Sequence, residues 1–245
     1  MTTAIVIPAR LDSTRLPGKL MLDICGKPLI WYTINNVLQC EVDYVFVVTD
    51  SKIIYDYVSS LNIDIIILLT DKATSGTHRI SKIASNIKTV YNIDNVINVQ
   101  GDEPTTDFKL INEIASQFKY ENRSTIITAA HITKPTVDPN KVKIALNKDY
   151  YAMYFSRSEI PYEFEITYRH IGIYGYTMDF FENYSKIVKC PYEKENLEQL
   201  DWLYNDIKIK VLLSKDNPIS VDTHTDYNDI CCYFKTRLMK EVGVI

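Results

Sequence analysis

Short apolar runs alternate with amphipathic stretches through the first hundred residues. Ala4-Ile5-Val6-Ile7 is apolar and β-branched, with the length of a buried strand, and Pro8, which has no backbone donor, is expected to end it. Helical periodicity follows over 28–37, and the continuous run from Tyr44 to Val48 predicts a central strand. The same alternation returns as a helix over 53–61, a strand over 63–69, a helix over 77–87 and a strand over 95–99. Strand and helix in repeating order predict a parallel sheet covered on both faces. Such sheets bind ligands beyond the carboxyl ends of their strands. Attention therefore falls on the loops after those strands: 8–19, Thr49-Asp50, 70–76 and 100–104.

The second half changes character. A helix is expected over 108–118 and a strand over 125–130, then two neighbouring strands at 142–146 and 151–155 joined by the turn Asn147-Lys148-Asp149. Over 169–176, two glycines and two tyrosines alternate with apolar residues. Leu197, Leu200 and Leu203 mark one face of a helix, which leaves Glu198 and Gln199 free to point to solvent. A short strand ending in Asp222 and a C-terminal helix over 225–240 complete the pattern, and no repeat, low-complexity segment or linker interrupts it.

Composition adds mainly exclusions. With 46% hydrophobic and 24% charged residues the chain has ordinary globular make-up, and a net charge of -4 offers no general basic field to attract nucleic acid. No apolar run approaches the roughly 20 residues that cross a bilayer, and the start of the chain lacks signal-peptide patterning, so a cytoplasmic protein is expected. The five cysteines, Cys25, Cys40, Cys190, Cys231 and Cys232, include no Cys-x-x-Cys spacing and read as reduced thiols, neither a disulfide framework nor a zinc site.

Candidate chemistry lies in two of the loops. Between Pro8 and Lys19 the cations Arg10, Arg15 and Lys19 outnumber the single acid Asp12, while Ser13, Thr14 and Gly18 supply small groups and flexible backbone. Arginine offers planar paired donors and lysine a compact charge, two complementary grips on phosphate oxygens. The competing reading is a solvated basic loop. Beyond the strand over 95–99, Gln100-Gly101-Asp102-Glu103-Pro104 places carboxylates at a strand end, where one suits Mg²⁺ bridging to substrate phosphates and the alternative is a turn acid. Neither the Gly-x-x-x-x-Gly-Lys phosphate loop nor a Gly-x-Gly-x-x-Gly motif occurs, which argues against an ATPase and a dinucleotide dehydrogenase. His170, alone in an apolar run, reads first as a satisfied structural residue.

Several motifs taken together resemble a family. Pro8 to Lys19, Ser75-Gly76-Thr77, Asn98 to Pro104, Tyr154-Phe155-Ser156-Arg157, Ile160-Pro161, His170 to Gly175, Leu197 to Leu200 and Val221-Asp222-Thr223 resemble, in order, the bacterial 3-deoxy-manno-octulosonate (Kdo) cytidylyltransferases, over about residues 4–235. The resemblance implies a nucleotide-diphospho-sugar transferase-like α/β fold, mostly parallel and covered by helices, with a smaller sugar-binding and dimerisation region. It divides a single domain into a nucleotide-binding half at about 1–130, a sugar and dimer region at about 131–220, and a metal-ligand and helical end from about 221. It implies transfer of CMP from CTP to Kdo, an acidic eight-carbon sugar, with release of pyrophosphate, in a homodimer serving lipopolysaccharide synthesis.

The resemblance also implies residue roles. Arg10, Lys19, Asp102 and Asp222 would be catalytic, the two aspartates carrying Mg²⁺. Ala9, Arg10, Leu11, Arg15, Lys19, Ser75, Gly76, Arg79 and Gln100 would bind nucleotide; Gln100, Arg157, His170, Tyr174, Glu198 and Gln199 would bind sugar, with Arg157 facing its carboxylate. Two departures from the family pattern stand out: His78 replaces a usual glutamate, and the stretch 162–168 is short. Alternatives are a related acidic ulosonate such as an 8-amino derivative, a guanylyl or uridylyl transferase, or a non-catalytic nucleotide-binding protein on the same fold.

Overall fold

The structure, a computed structural model, describes residues 1–121, 125–192 and 194–241. In chain order its elements are β1 (Thr3–Ala9), β2 (Asp23–Ile24), β3 (Lys27–Pro28), α1 (Leu29–Val37), β4 (Tyr44–Thr49), α2 (Lys52–Ser60), β5 (Ile66–Leu69), α3 (Gly76–Tyr91), β6 (Asn95–Val99) and α4 (Phe108–Gln117). There follow β7 (Ile126–Thr133), β8 (Lys143–Leu146), β9 (Ala152–Ser156), β10 (Thr167–Thr177), α5 (Met178–Glu182), α6 (Glu198–Tyr204), β11 (Ile209–Ser214) and α7 (His224–Glu241). Among the described residues two compact units interleave along the chain: one holds 4–83, 98–111 and 218–241, the other 1–3, 84–97, 112–121, 125–192 and 194–217. The helices α3 and α4 and the strand β6 each carry the chain from one unit into the other, and a further change of unit falls between Asn217 and Pro218.

In the unit containing residues 4–83, β1 and β5 both pair with β4 in parallel, Ile7 opposite Val47 and Val48 opposite Leu68. Ile5, Val6, Ile7, Phe46, Val47 and Val48 are all fully buried, as a strand covered on both faces requires. Parallel pairing brings the carboxyl ends of these strands to one edge, and the loops expected to carry chemistry start there. Pro8 does not end β1; it remains in register opposite Val48, and the ladder tolerates one missing donor near a strand end. The strand expected over 63–69 begins only at Ile66, because Ile65 N–H turns back to Ile63 O at 2.8 Å. Where a short strand ending in Asp222 was expected, no strand is assigned among the described residues; Val221 N–H donates to Asp102 O at 3.0 Å. On α1 and α7, the rings of Tyr32 and Phe234 stack at 3.9 Å.

The other unit is antiparallel in part. Its strand β10 runs antiparallel to β7 and β8, β8 antiparallel to β9, and β11 parallel to β7. Tyr174 and Trp202 meet edge-on at 5.3 Å and Tyr176 stacks on Phe180 at 4.8 Å, so α5 and α6 close over β10 through aromatic contacts. Gly175 is required there, since a Cβ would lie 2.9 Å from Ile114 and Phe118 side-chain atoms.

Candidate active site

Lys19 is the centre of the charged cluster. It is only 6% exposed, and its ammonium donates to the Asp102 carboxylate, to Asp222 Oδ1 at 2.8 Å and to Val221 O at 3.0 Å. Three acceptors satisfy its three N–H bonds. Arg15 Nη2 reaches the other oxygen of Asp222 at 3.0 Å. Burial alone would lower the Lys19 pKa, but Asp102 and Asp222 outweigh it and raise it. Burial would likewise raise the Asp222 pKa, and Lys19, Arg15 and Arg10 together pull it below the usual carboxylate value. Lys19, raised above its unfolded 10.5, therefore contributes stability that is complete below that pH and lost as pH climbs past it. Asp222, lowered beneath 3.8, contributes stability complete above that value and lost on further acidification.

Local structure explains why Asp222 stands there. Asp226 Oδ2 accepts from the N–H groups of Asp222 at 3.1 Å and Thr223 at 2.8 Å and from Thr223 Oγ1 at 2.7 Å, and Thr223 Oγ1 accepts from Asp226 N–H at 3.2 Å. This reciprocal cap at the start of α7 fixes the backbone carrying Asp222. Glu103 behaves differently from its neighbour Asp102: it is buried and accepts from Thr106 Oγ1 at 3.4 Å, the turn-acid role.

Beside this cluster is a pocket lined by Pro8, Arg10, Lys19, Leu20, Ala73, Ser75, Gly76, Arg79, Gln100, Gly101 and Asp102. Arg10 is exposed at its edge, with Ala9 buried and Leu11 half-buried on either side in the chain. Ser75 caps α3, its Oγ accepting from His78 N–H at 3.0 Å. His78 Nδ1 lies 2.9 Å from Thr74 Oγ1, so the residue in place of glutamate contacts the loop leading into α3. Arg79 lines the pocket from a buried position. It is 2% exposed, and its guanidinium bridges Asp50 Oδ2 at 2.8 Å and Thr70 Oγ1 at 2.9 Å, tying together the loops after β4 and β5.

Of the expected sugar residues, Gln100 lines this pocket, and Arg157, His170, Tyr174, Glu198 and Gln199 lie in the other unit. The pairing of β10 with β7 jumps from Ile171↔Ala129 to Tyr174↔Thr128, a bulge of two residues. Four residues of regular strand span about 13 Å, yet the rings of His170 and Tyr174 approach to 5.4 Å across this bulge. Thr128 Oγ1 donates to Ile173 O at 2.7 Å, which spends its single proton, so His170 Nε2 must be the donor across their 3.0 Å contact. His170 Nδ1 is then left as an acceptor. Burial, with the Arg169 charge adding to it, pushes the His170 pKa down to about 3.

A depressed histidine pKa means that the unfolded chain takes up the proton first. Stability from neutral His170 should be complete above its unfolded pKa near 6.5 and decline as pH falls toward 3. His170→Gln should flatten that part of the melting temperature profile between pH 7 and pH 4.5; an unchanged slope would contradict the assignment.

Gln199, which its helix pattern alone left free to point to solvent, is 7% exposed and donates from Nε2 to the Tyr174 hydroxyl. Its Oε1 has no hydrogen-bond partner among the described residues. Glu198 accepts from Tyr184 OH at 3.1 Å. Arg157 is more tethered than its sequence position suggested. Its Nε donates to Glu195 O at 2.7 Å and Nη1 to Pro139 O at 2.9 Å, while Glu195 Oε2 accepts from its N–H at 2.7 Å. The residue pins the loop before α6 and retains further guanidinium donors.

Comparison with known proteins places these features. Residues 4–209 match the family described as cytidylyltransferase. The 3-deoxy-manno-octulosonate cytidylyltransferase of Fusobacterium nucleatum is 39% identical, with 96% of this chain and 98% of that protein covered. The enzyme of the same description from Francisella tularensis subsp. holarctica is 38% identical, covering 92% of this chain and 96% of its own. Among solved structures, a CMP:2-keto-3-deoxy-manno-octonic acid synthetase complexed with CTP superposes at a TM-score of 0.88 with 30% identity, over 97% of this chain and all of that one. A 4-diphosphocytidyl-2C-methyl-D-erythritol synthase from Anaerococcus prevotii, 16% identical at a TM-score of 0.63 and 96% coverage of both chains, shares the fold. The mixed, largely parallel sheet flanked by helices is that of a nucleotidyltransferase. Within that class, the chain belongs to the 3-deoxy-manno-octulosonate cytidylyltransferase family.

Proposed function

We propose that this chain transfers CMP from CTP to the anomeric hydroxyl of Kdo, releasing pyrophosphate and supplying an activated acidic sugar for lipopolysaccharide synthesis. The observation that carries this reading is the convergence of Asp102 and Asp222 on buried Lys19, with Arg15 paired to Asp222, beside a pocket edged by Arg10. In the reaction the sugar oxygen attacks the α-phosphorus, the bond from that phosphorus to the bridging oxygen breaks, and the hydroxyl proton is lost. Such transfers depend on position and neutralised charge more than on covalent chemistry.

Arg10 and Arg15 grip the triphosphate oxygens. Lys19 holds the two carboxylates in place and adds its own charge toward the phosphates. Ser75 and Gly76 shape the base and ribose wall, and Arg79 supports that wall from behind. On the sugar side, neutral His170 offers Nδ1 to a hydroxyl, Gln199 and Tyr174 form a hydrogen-bonded pair, Glu198 accepts a hydroxyl proton, and the remaining guanidinium donors of Arg157 meet the carboxylate. A homodimer in the cytoplasm is the setting the family resemblance suggests, and among the described residues no helix is long and apolar enough to cross a membrane.

The donor set also suits Mg²⁺. Among the described residues no group of three or more His, Cys, Asp or Glu gathers to hold a metal alone. Two carboxylates drawn to one cation nevertheless fit Mg²⁺, which takes one or two carboxylates and completes its shell with phosphates and water. Asp102 and Asp222 would hold it, and when bound it neutralises phosphate charge and acidifies an attacking hydroxyl.

Pyrophosphate release, measured with each of the four nucleoside triphosphates plus Kdo and Mg²⁺, should require CTP and Kdo together and stop on chelation. Equal release with GTP or UTP would overturn the choice of base, and release with CTP and neutral hexoses alone would overturn the choice of sugar.

A further inference from the structure

Gln100 sits between two unusual neighbours. On one side is Gly76, the first residue of α3, where a Cβ would lie 2.5 Å from Gln100 Nε2 and 2.9 Å from its Oε1. Gly76 does not occupy the left-handed region, so its backbone conformation is open to any residue and only the missing Cβ makes glycine special. On the other side is Asn98, fully buried in β6, whose Oδ1 accepts from Gln100 Nε2 at 2.9 Å. Asn98 Nδ2, also buried, has no partner among the described residues. A buried amide that leaves one donor unsatisfied is costly, and the bond it does make is the one to Gln100. Gln100 lines the pocket, and its Oε1 accepts no hydrogen bond among the described residues.

We propose that Asn98 and Gly76 are positioning residues that lock the Gln100 carboxamide with Nε2 turned inward and Oε1 turned to the pocket, so that the site selects a substrate group able to donate there, a hydroxyl or an exocyclic amine. Asn98 sets which end of the amide faces in; Gly76 leaves the space in which its plane can lie. A carboxamide free to flip would present donor and acceptor alternately and would discriminate poorly between substrates that differ in one polar group. The inference rests on the reading that Gln100 meets substrate, and its test keeps the two separable.

The lock is read without substrate. In ¹H–¹⁵N spectra of the parent, the Gln100 side-chain amide should show one slowly exchanging proton, which Asn98→Leu abolishes and Asn98→Asp, able only to accept, retains. Its role is read in kinetics. Gly76→Ala, acceptable to a helix start, should keep the parent melting temperature within a few degrees yet raise KM for one substrate about fivefold to tenfold, as Gln100→Ala does. The two changes should be non-additive: in a Gln100→Ala background Gly76→Ala should add less than about twofold. A rise confined to CTP, with weaker rejection of UTP, identifies an exocyclic amine; a rise confined to Kdo identifies a sugar hydroxyl. Full additivity, or an exchange signal untouched by Asn98→Leu, would overturn the proposal. A protected amide with no turnover of CTP and Kdo would instead leave the lock standing and refute the function proposed above.

Discussion

Lys19→Met should lower turnover by about two to three orders of magnitude, the scale seen when one preorganised electrostatic group is removed from a reaction centre. It should also lower the melting temperature. A solvated loop lysine would cost nothing in stability, but Lys19 is 6% exposed and lies between two carboxylates, which in the variant keep their charge and lose their cation. Each charge-assisted hydrogen bond lost is worth about 1.5–3 kcal/mol, and partial exposure of Asp102 and Asp222 moderates the total. The freed carboxylates should then bind divalent cations more readily, so Mg²⁺ without nucleotide should raise the melting temperature of Lys19→Met more than that of the parent. Calorimetry with and without Mg²⁺, alongside pyrophosphate release, checks both parts. Parent-like turnover and melting together would return the loop to a solvated basic stretch.

Asp102→Asn should be nearly as damaging to turnover and much gentler to the fold. The amide oxygen can still accept from Lys19, and the backbone carbonyl of residue 102 still accepts from Val221 N–H, so the junction of the two segments survives. What disappears is one negative charge at the carboxylate pair. With a weaker claim on a hard cation, kcat should fall by about a hundredfold and the Mg²⁺ concentration for half-maximal rate should rise. A titration of rate against Mg²⁺ separates these effects. An unchanged Mg²⁺ requirement with near-parent kcat would remove Asp102 from the metal and from the chemistry.

The parts of the fold that could be read from sequence are those governed by local pattern. The wholly apolar runs inside β1, Ala4 to Ile7, and β4, Tyr44 to Val48, have one stable use, the middle of a covered sheet, and their side chains are buried or nearly so. Pro8 misled because its effect on a strand depends on where in the ladder it falls, which a run of residue types does not record. Ile209–Ser214, with Lys210 inside it, went unread as a strand because its partner β7 lies far away in sequence.

The site divides in the same way. Motif order pointed to Lys19, Asp102 and Asp222, but their mutual pairing spans 83 and 203 residues and has no local signature. Asp50, Thr70, Thr128, Glu195 and Asp226 lie outside every motif that carried the resemblance; each acts on a candidate residue. Of these, Asp226 left a trace, because Thr223-x-x-Asp226 opening a helix is a capping pattern. The burial of Gln199 followed from the tyrosine opposite it, not from its place on a helix.

The central claim is that the cluster around Lys19 joins CMP to the sugar through the sugar's own oxygen. Kdo carrying ¹⁸O at its anomeric hydroxyl, turned over with CTP and followed by ³¹P spectroscopy and mass spectrometry, tests it directly. The label should appear in the oxygen bridging phosphorus and sugar in the product, with pyrophosphate unlabelled and formed in equal amount. Product in which that bridging oxygen is unlabelled, or pyrophosphate formed without any labelled nucleotide sugar, would contradict it.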